Sequence, residues 1–245
     1  MKHSIFIGTA GWSVPAAHTE YFSGEGTHLQ LYAQVLNAAE INTSFYRALQ
    51  PRTYEKWAAS TPESFRFAIK IPRLISHEKR LRNAEIPLDI FLSEVSNLKR
   101  NLGPLLLQLP PSENFNSDVA AKFFTHFRNN FAGSIVCEPR HLTWFSPQAE
   151  QLLIDFQVAR AAVDPAISPR GSTSGGWNGM IYYRLHGSPK IYYSNYSDEF
   201  LSELNSNLQQ HAEYFDVWCI FDNTAEFHAT ANALTLLNLS RALSL

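Results

Sequence analysis

The chain has 245 residues, 45% hydrophobic and 17% charged, a composition typical of one large globular domain. Its 20 lysines and arginines nearly balance 22 aspartates and glutamates, and a net charge of −2 excludes a field that would draw in duplex nucleic acid or an anionic membrane. No apolar run approaches the roughly 18 to 20 residues that cross a bilayer. We expect a single domain over residues 1–245, without membrane or duplex nucleic acid as partner, and leave the oligomeric state open.

Eight short apolar runs recur along the chain, and nearly all end on a charged or amide side chain. They cover residues 5–8, 38–42, 65–70, 105–108, 135–138, 158–164, 180–186 and 217–222. Segments of helical period lie between them, at residues 29–37, 51–59, 86–102, 118–127, 148–156, 198–214 and 230–243. This alternation predicts an α/β fold, a single (β/α)8 TIM-type barrel whose active site lies at the carboxyl ends of its strands.

Local signals mark several boundaries of these elements. Pro51, Pro87 and Pro147 stand near helix starts, and Ser117 is the expected N-cap of the helix that follows it. Residues 165–179 are rich in serine, glycine and proline, which predicts a mobile loop overhanging the mouth. An open doubly wound sheet is the competing fold, but residues 8–12 read GTAGW and lack the GxGxxG spacing of a dinucleotide site.

The N-terminus and the two cysteines indicate the cellular location of the protein. Met1 leads almost at once into the first strand, which leaves no room for a cleavable leader and predicts a cytoplasmic location. Cys137 and Cys219 each lie inside a predicted strand without CxxC spacing, so we expect buried free thiols rather than a disulfide or a metal site.

If the polar strand ends point inward, one mouth collects side chains that are scattered along the sequence. The candidate catalytic residues are Glu40, Glu138, His141, Asp164, His186 and Asp222. The candidate substrate-binding residues are Asn42, Tyr46, Arg47, Lys70, Gln108, Arg140, Trp144, Arg184 and Asn223. The alternative is a structural salt-bridge layer, in which Arg66, Arg160 and Arg184 neutralise carboxylates inside the barrel.

Three segments carry most of this chemistry. Residues 138–144 combine a carboxylate, a guanidinium, an imidazole and the flat wall of Trp144, although an ordinary surface turn would read the same way. Residues 40–47 offer a carboxylate, an amide, Tyr46 and Arg47, or else a simple helix cap. Residues 184–187 place Arg184 and His186 on one strand face, before a glycine that permits close approach of the backbone. His77 reaches either the mouth or solvent.

Metal binding is a separate alternative. Glu40, Glu138, Asp164, His186 and Asp222 are hard ligands on different strands, but no local motif such as HExxH supports a metal site. Fixed cations at Lys70, Arg140 and Arg184 would also repel a divalent ion. We therefore predict no cofactor, with a divalent metal as the alternative.

Several motifs in fixed order resemble one known family over nearly the whole chain. They are GTAGW at 8–12, EIN at 40–42, FYR at 45–47, FAIK at 67–70, QLPP at 108–111, EPRH at 138–141, YRLHG at 183–187, FDN at 221–223 and ANA at 231–233. Together they resemble the YecE-like proteins, also called domain of unknown function 72. The resemblance implies a bacterial TIM-barrel protein without an established activity. Val14 replaces a usual aromatic, and a usual glycine near Glu226 is missing.

These observations favour an enzyme that uses general acid and base chemistry on a small anionic ligand. The ligand would be phosphorylated or carboxylated, and sugar-like or nucleotide-like, with Lys70, Arg140 and Arg184 holding its charge. One alternative is a metal-dependent hydrolase or isomerase. The other is a non-catalytic protein that binds a cellular ligand or single-stranded nucleic acid on four stacking platforms. These platforms are Trp12, Tyr46, Trp144 and Trp177.

Overall fold

A parallel sheet that curls into a barrel organises the computed structural model, which describes residues 3–242. Its strand segments are β1 (Ile5–Ala10), β2 (Ala38–Ile41), β3 (Arg66–Lys70), β4 (Leu102–Gln108), β5 (Ile135–Glu138), β6 (Val158–Arg160), β7 (Ala162–Asp164), β8 (Gly175–Gly176), β9 (Met180–Leu185) and β10 (Asp216–Phe221). The start at Met1 and the helix end at Leu243 fall outside the described residues.

The barrel closes through its sixth strand, which is interrupted at Ala161 into two segments. The first segment, β6, pairs with β5, and the second, β7, pairs with β9. All the other neighbours are parallel as well, except the two-residue β8, which runs antiparallel to β6. Counting β6 and β7 as one strand gives the eight barrel strands of the expected fold, so the (β/α)8 prediction is confirmed.

Helices follow every barrel strand except the sixth. They are α1 (His28–Val35), α2 (Thr43–Tyr46), α3 (Pro51–Ala59), α4 (Glu85–Val95), α5 (Ser117–Asn130), α6 (Pro147–Asp155), α7 (Asp198–His211) and α8 (His228–Ala242). Pro51 and Pro147 occupy first helical positions, as expected. Among residues 3–242, no helix combines the length and apolar character needed to cross a lipid bilayer.

Two predicted helix boundaries were wrong. The helix expected over residues 86–102 ends at Val95 and continues as a 3-10 turn, and it does not extend to residue 102 because Lys99 takes a φ of 53° that no α-helix accommodates. The N-cap of α5 is Asn116 rather than Ser117, since the Asn116 side chain accepts a hydrogen bond from the Val119 amide at 3.0 Å.

Two apolar regions hold the fold together. The larger one lies between the sheet and the helices and includes both cysteines, which are buried free thiols as expected. The smaller one fills the barrel lumen, where small residues such as Ala38 and Ala68 leave space for large rings. Trp218 stacks on Phe6 at a centroid distance of 4.6 Å and closes the amino-terminal end of the barrel. The lumen is therefore a packed core with one polar end.

The loop that replaces a helix after the sixth strand is fastened to the barrel wall. Arg160 donates hydrogen bonds to the carbonyl oxygens of Arg170 and Thr173 within this loop. The Trp177 amide bonds to the Val158 carbonyl at 2.9 Å, and the Trp177 ring packs against the lumen core. Trp177, near the end of the loop expected over the mouth, thus lies instead at the amino-terminal end of the strand.

Candidate active site

Strand alternation brings the polar strand ends into one cluster. Ala38, Ala68, Leu106, Val136, Tyr182 and Ile220 all belong to the lumen core. The residues two positions later face the same way, because side chains alternate along a strand. They are Glu40, Lys70, Gln108, Glu138, Arg184 and Asp222, and all six are buried. The carboxyl end of the barrel is therefore lined by ionisable and amide groups.

Arg184 is the centre of this cluster and is 1% exposed. Its Nη2 lies 2.7 Å from Glu40 Oε1 and 2.9 Å from Asp222 Oδ2, and its Nη1 lies 3.1 Å from Glu138 Oε2. The Tyr182 hydroxyl donates to Glu40 Oε2 at 2.8 Å. One guanidinium thus neutralises carboxylates from three different strands, which is how a buried charge set remains tolerable in a protein interior.

Glu138 receives donors from several directions. Gln108 Nε2 donates to Glu138 Oε1 at 2.8 Å, and Arg140 Nε donates to the same oxygen at 2.9 Å. Burial raises the pKa of this carboxyl, but the charges of Arg184, His186 and Arg140 outweigh burial and hold the pKa well below its usual range. Glu138 is therefore an anion that accepts hydrogen bonds at neutral pH.

His186 lies between two carboxylates. Its Nδ1 is 3.0 Å from Asp222 Oδ2, and its Nε2 is 3.2 Å from Glu138 Oε1. Burial lowers the pKa of His186. The Glu138 charge and the hydrogen bonds to both carboxylates raise this pKa by more than burial lowers it, so the net shift is upward. The geometry favours the imidazolium, with one N–H directed at each carboxylate.

Lys70 and His77 form the edge of the cluster. Lys70 Nζ lies 4.2 Å from the centroid of the Phe45 ring, and the His77 ring meets the same ring edge-on at 5.0 Å. Burial and the Arg184 charge lower the pKa of Lys70 to about 8. Burial and the charges of Lys70, Arg73 and Arg140 lower the pKa of His77 to about 4. His77 is thus neutral at physiological pH, and its pKa is shifted in the opposite direction to that of His186.

The structure brings together eight of the residues expected at the mouth. They are Glu40, Lys70, Gln108, Glu138, Arg140, Arg184, His186 and Asp222. Asn42 adjoins them at the end of β2, where its Oδ1 is buried without a hydrogen-bond partner in the described part of the chain. Six further expected residues lie outside the cluster, and each has a visible structural reason.

Asp164 faces the helices instead of the lumen. Its ladder neighbour on β9 is Leu185, which belongs to the outer core, and its Oδ2 accepts a hydrogen bond from Tyr196 at 2.9 Å. The expected inward orientation of Asp164 was wrong, because the lumen core contains Ala159, Ala161 and Val163 of this strand instead.

The turn after β5 contributes Arg140 but neither of its other two candidates. His141 Nδ1 accepts a hydrogen bond from the Thr143 amide, so the ring caps a 3-10 turn. Trp144 is 1% exposed, and its Nε1 donates to the Glu113 carbonyl at 2.9 Å. The surface-turn alternative therefore describes these two side chains correctly, and Trp144 offers no free stacking face.

The remaining three candidates are also apart from the ionic cluster. Tyr46 is 76% exposed and, with Arg47, lines a groove of about 370 Å³ that extends to Pro87 and Phe91 of α4. Asn223 is fully buried and donates to the Ser194 carbonyl at 2.9 Å, which ties a loop in place.

Three residues of the mouth were missed or left undecided by the sequence. Tyr182 could have been found two positions before Arg184, on the same strand face. Phe45 gives no polar signal, and its place under Lys70 depends on tertiary packing. His77 reaches the mouth because a π-helical turn, Leu74–Glu78, follows β3.

The expected metal ligands are not arranged as a set. Asp164 faces outward, while Glu138, His186 and Asp222 are engaged with Arg184 and with one another. Within residues 3–242, no group of three or more histidine, cysteine, aspartate and glutamate side chains is suited to hold a metal ion. The single-stranded nucleic-acid alternative is also weakened, since Trp12 packs edge-on against Trp57 at 5.0 Å and only Tyr46 of its four platforms is freely exposed.

Two known proteins are similar to this chain over part of its sequence. The UPF0759 protein YecE of Escherichia coli K12 is 29% identical over 165 residues, which span 66% of this chain and 58% of YecE. The UPF0759 protein YunF of Bacillus subtilis is 29% identical over 167 residues, or 63% of this chain and 57% of YunF. The match thus spans less than two thirds of the length of either relative.

Solved structures extend the likeness to the complete fold. A DUF72 family protein from Enterococcus faecalis superposes with a TM-score of 0.79 at 21% identity, covering 97% of this chain and 95% of that one. A DUF72 family protein from Thermotoga maritima gives a TM-score of 0.77 at 21% identity, covering 99% and 100%.

The fold and its mouth together define an α/β-barrel protein with a buried ionic network at the carboxyl ends of its strands. The chain belongs to the family described as protein of unknown function DUF72, whose sequence pattern matches residues 6–244. The resemblance drawn from the motifs is therefore confirmed.

Proposed function

We propose that this protein is a cytoplasmic enzyme that acts on a small anionic substrate at the barrel mouth by general acid and base chemistry. One observation carries the proposal, which is a positive charge without a partner. The three buried carboxylates of the cluster are all engaged by Arg184, Arg140 or His186, whereas the Lys70 ammonium has no ion pair or hydrogen bond within residues 3–242. A phosphate or carboxylate of the substrate would supply the missing partner.

Arg140 supports the same proposal because its side chain is 26% exposed and its charge is permanent. It lies beside His186, with its Nη2 3.2 Å from the imidazole Nε2. An anion bound between Lys70 and Arg140 would therefore meet the acid and base groups of the mouth.

The two histidines are suited to opposite roles. The pKa of His186 is raised and that of His77 is lowered, and groups whose surroundings separate their pKa values are the usual acid and base of an active site. His186 would donate a proton and His77 would accept one. Glu40 and Glu138 would hold Arg184 and His186 in place rather than transfer protons, since both are saturated with donors.

Anion binding is the direct test. Phosphate, sulfate and small carboxylates at constant ionic strength, with chloride as the reference, should stabilise the wild type. At ten times the Kd the stabilisation is about 1.4 kcal/mol, or roughly 3–6 °C in Tm for a domain of this size. Lys70→Met should lose most of this shift, and Lys56→Met on the exposed side of α3 should retain it. Equal shifts in both variants, or none in the wild type, would contradict the proposal.

A further inference from the structure

The chemical surroundings of Lys70 are unusual for a lysine. Its side chain is 7% exposed, and the ammonium rests against the Phe45 ring instead of a carboxylate. Arg140 and Arg184, the other cations of the mouth, are both paired with Glu138. The Arg140 side chain is nevertheless 26% exposed and permanently charged, so it can contact an anion while the unpaired Lys70 also acts on the bound substrate.

Burial disfavours the charged form of an amine, and so does a neighbouring cation. Both act on Lys70, and its pKa of about 8 leaves about one molecule in ten as the free amine at pH 7. A desolvated lysine beside another cation is one of the known ways in which proteins prepare an amine nucleophile.

His77 is the candidate proton carrier, because its ring and Lys70 Nζ both contact the Phe45 ring. His77 Nδ1 is 2.9 Å from the Ser76 hydroxyl, and its Nε2 has no hydrogen-bond partner in the described part of the chain. Burial and the Lys70 charge are among the causes that lower the His77 pKa to about 4, so the imidazole is neutral. It can take up a proton from the amine side and return it.

We propose that Lys70 is a covalent nucleophile that forms an imine with a small aldehyde or ketone carrying a carboxylate or phosphate. This rests on the proposed function, because the anionic group of such a substrate is what Arg140 would hold.

The proposed step is balanced without a further reactant. The Nζ lone pair attacks the carbonyl carbon, and the carbonyl π electrons move to oxygen. His77 carries one proton from the new C–N nitrogen to the alkoxide oxygen, which gives a neutral carbinolamine. His77 then carries the remaining nitrogen proton to the hydroxyl as the C–O bond breaks, so both Nζ protons leave with the carbonyl oxygen as water. The product is the imine, which withdraws electrons from the adjacent C–H or C–C bond once it is protonated.

Reductive trapping tests this step on the intact chain. Wild-type protein is incubated with pyruvate or with glycolaldehyde phosphate, reduced with borohydride and mapped by peptide mass spectrometry. At pH 7 an ordinary lysine is free in fewer than about one molecule in a thousand. We therefore expect Lys70 to be labelled at least about tenfold faster than Lys56, with a rate that rises through about pH 8.

Controls separate the imine from simple anion binding. Lactate matches pyruvate in charge and lacks the ketone, so it should raise the Tm of wild type without forming a covalent product. Lys70→Arg keeps the cation and should keep the lactate shift while losing the label. Circular dichroism and Lys70→Met check that a lost label does not reflect misfolding.

Two outcomes overturn the proposal in different ways. If lactate and phosphate raise the Tm but Lys70 is labelled no faster than Lys56, the imine is wrong and the proposed anion site stands. If neither ligand raises the Tm and Lys70 is not preferentially labelled, both proposals fall.

Discussion

Arg184 determines the electrostatic balance of the mouth because it contacts three carboxylates while almost fully buried. A buried carboxylate left without its partner is far more costly than an exposed one, and the loss of one member of such a set typically destabilises a protein by about 3–5 kcal/mol. The arrangement nevertheless leaves Lys70 without an ion pair within residues 3–242. The salt-bridge layer and the proposed ligand site therefore occupy the same cluster.

His186 provides a prediction at the same scale. Its folded pKa is raised, so the ion pairs of its imidazolium stabilise the protein fully below the unfolded pKa of about 6.5 and are lost as pH rises through the folded value. The free energy of unfolding of wild type relative to His186→Gln should therefore decrease as pH rises above about 6.5. Urea unfolding across pH 5 to 9 measures this difference.

A histidine with the opposite shift is the control. Burial lowers the pKa of His211, whose ring lies 6.3 Å from Tyr183. Its neutral form is favoured in the folded state, so wild type relative to His211→Gln should gain stability as pH rises toward about 6.5. The same slope for both variants would contradict the assigned charge of His186.

At the scale of the elements, the N-cap of α5 gives a prediction that distinguishes two adjacent residues. Asn116 caps this helix by accepting a hydrogen bond from the Val119 amide, while Ser117 is already its first helical residue. Asn116→Ala should lower the free energy of unfolding by about 1 kcal/mol. Ser117→Ala should change it by less than about 0.5 kcal/mol, because alanine is the better helix former. Equal losses of unfolding free energy in the two variants, measured by urea unfolding, would contradict the assignment of Asn116 as the N-cap.

The order of the elements and the approximate carboxyl ends of the strands were predictable because their signals are local. Residues 135–138 carry an apolar run that stops at a carboxylate, and β5 occupies those same four positions. Which side chains of the sixth strand face the lumen was not predictable in this way. Val163 and Asp164 could each end an inward face, and the choice depends on Tyr196, which contacts Asp164 from 32 residues away.

The candidate site was likewise predictable only in part. The residues inside the lumen followed from strand alternation, whereas those on loops depended on contacts that no local pattern contains. Trp144 reads as an exposed wall until its ring nitrogen is found bonded to the Glu113 carbonyl. Phe45 reads as ordinary core until Lys70 is found above its ring. Strand ends are thus the dependable part of such a prediction, and loop residues need the three-dimensional contacts.

At the scale of the whole molecule, the barrel separates an apolar end from an ionic end along its axis. Aromatic rings such as Phe6 and Trp218 fill the amino-terminal end, and Tyr182 stacks on Trp218 at 6.1 Å while its hydroxyl reaches Glu40. Tyr182 is therefore the link between the two ends. A packed lumen keeps water from the lower side of the ionic network, which strengthens every electrostatic interaction within it.

This separation makes Trp177 a test of the barrel axis. Its half-buried ring packs on the lumen core near Val158, far along the strand from the polar mouth. Trp177→Ala should cost about 1–3 kcal/mol in the free energy of unfolding, through lost apolar burial. Sites that share no partner act independently, so the Tm increase caused by phosphate should stay as in wild type. If Trp177→Ala instead abolished the phosphate shift while the folded state persisted, residues 165–179 would act as the lid that their composition first indicated, and the separation along the axis would be wrong.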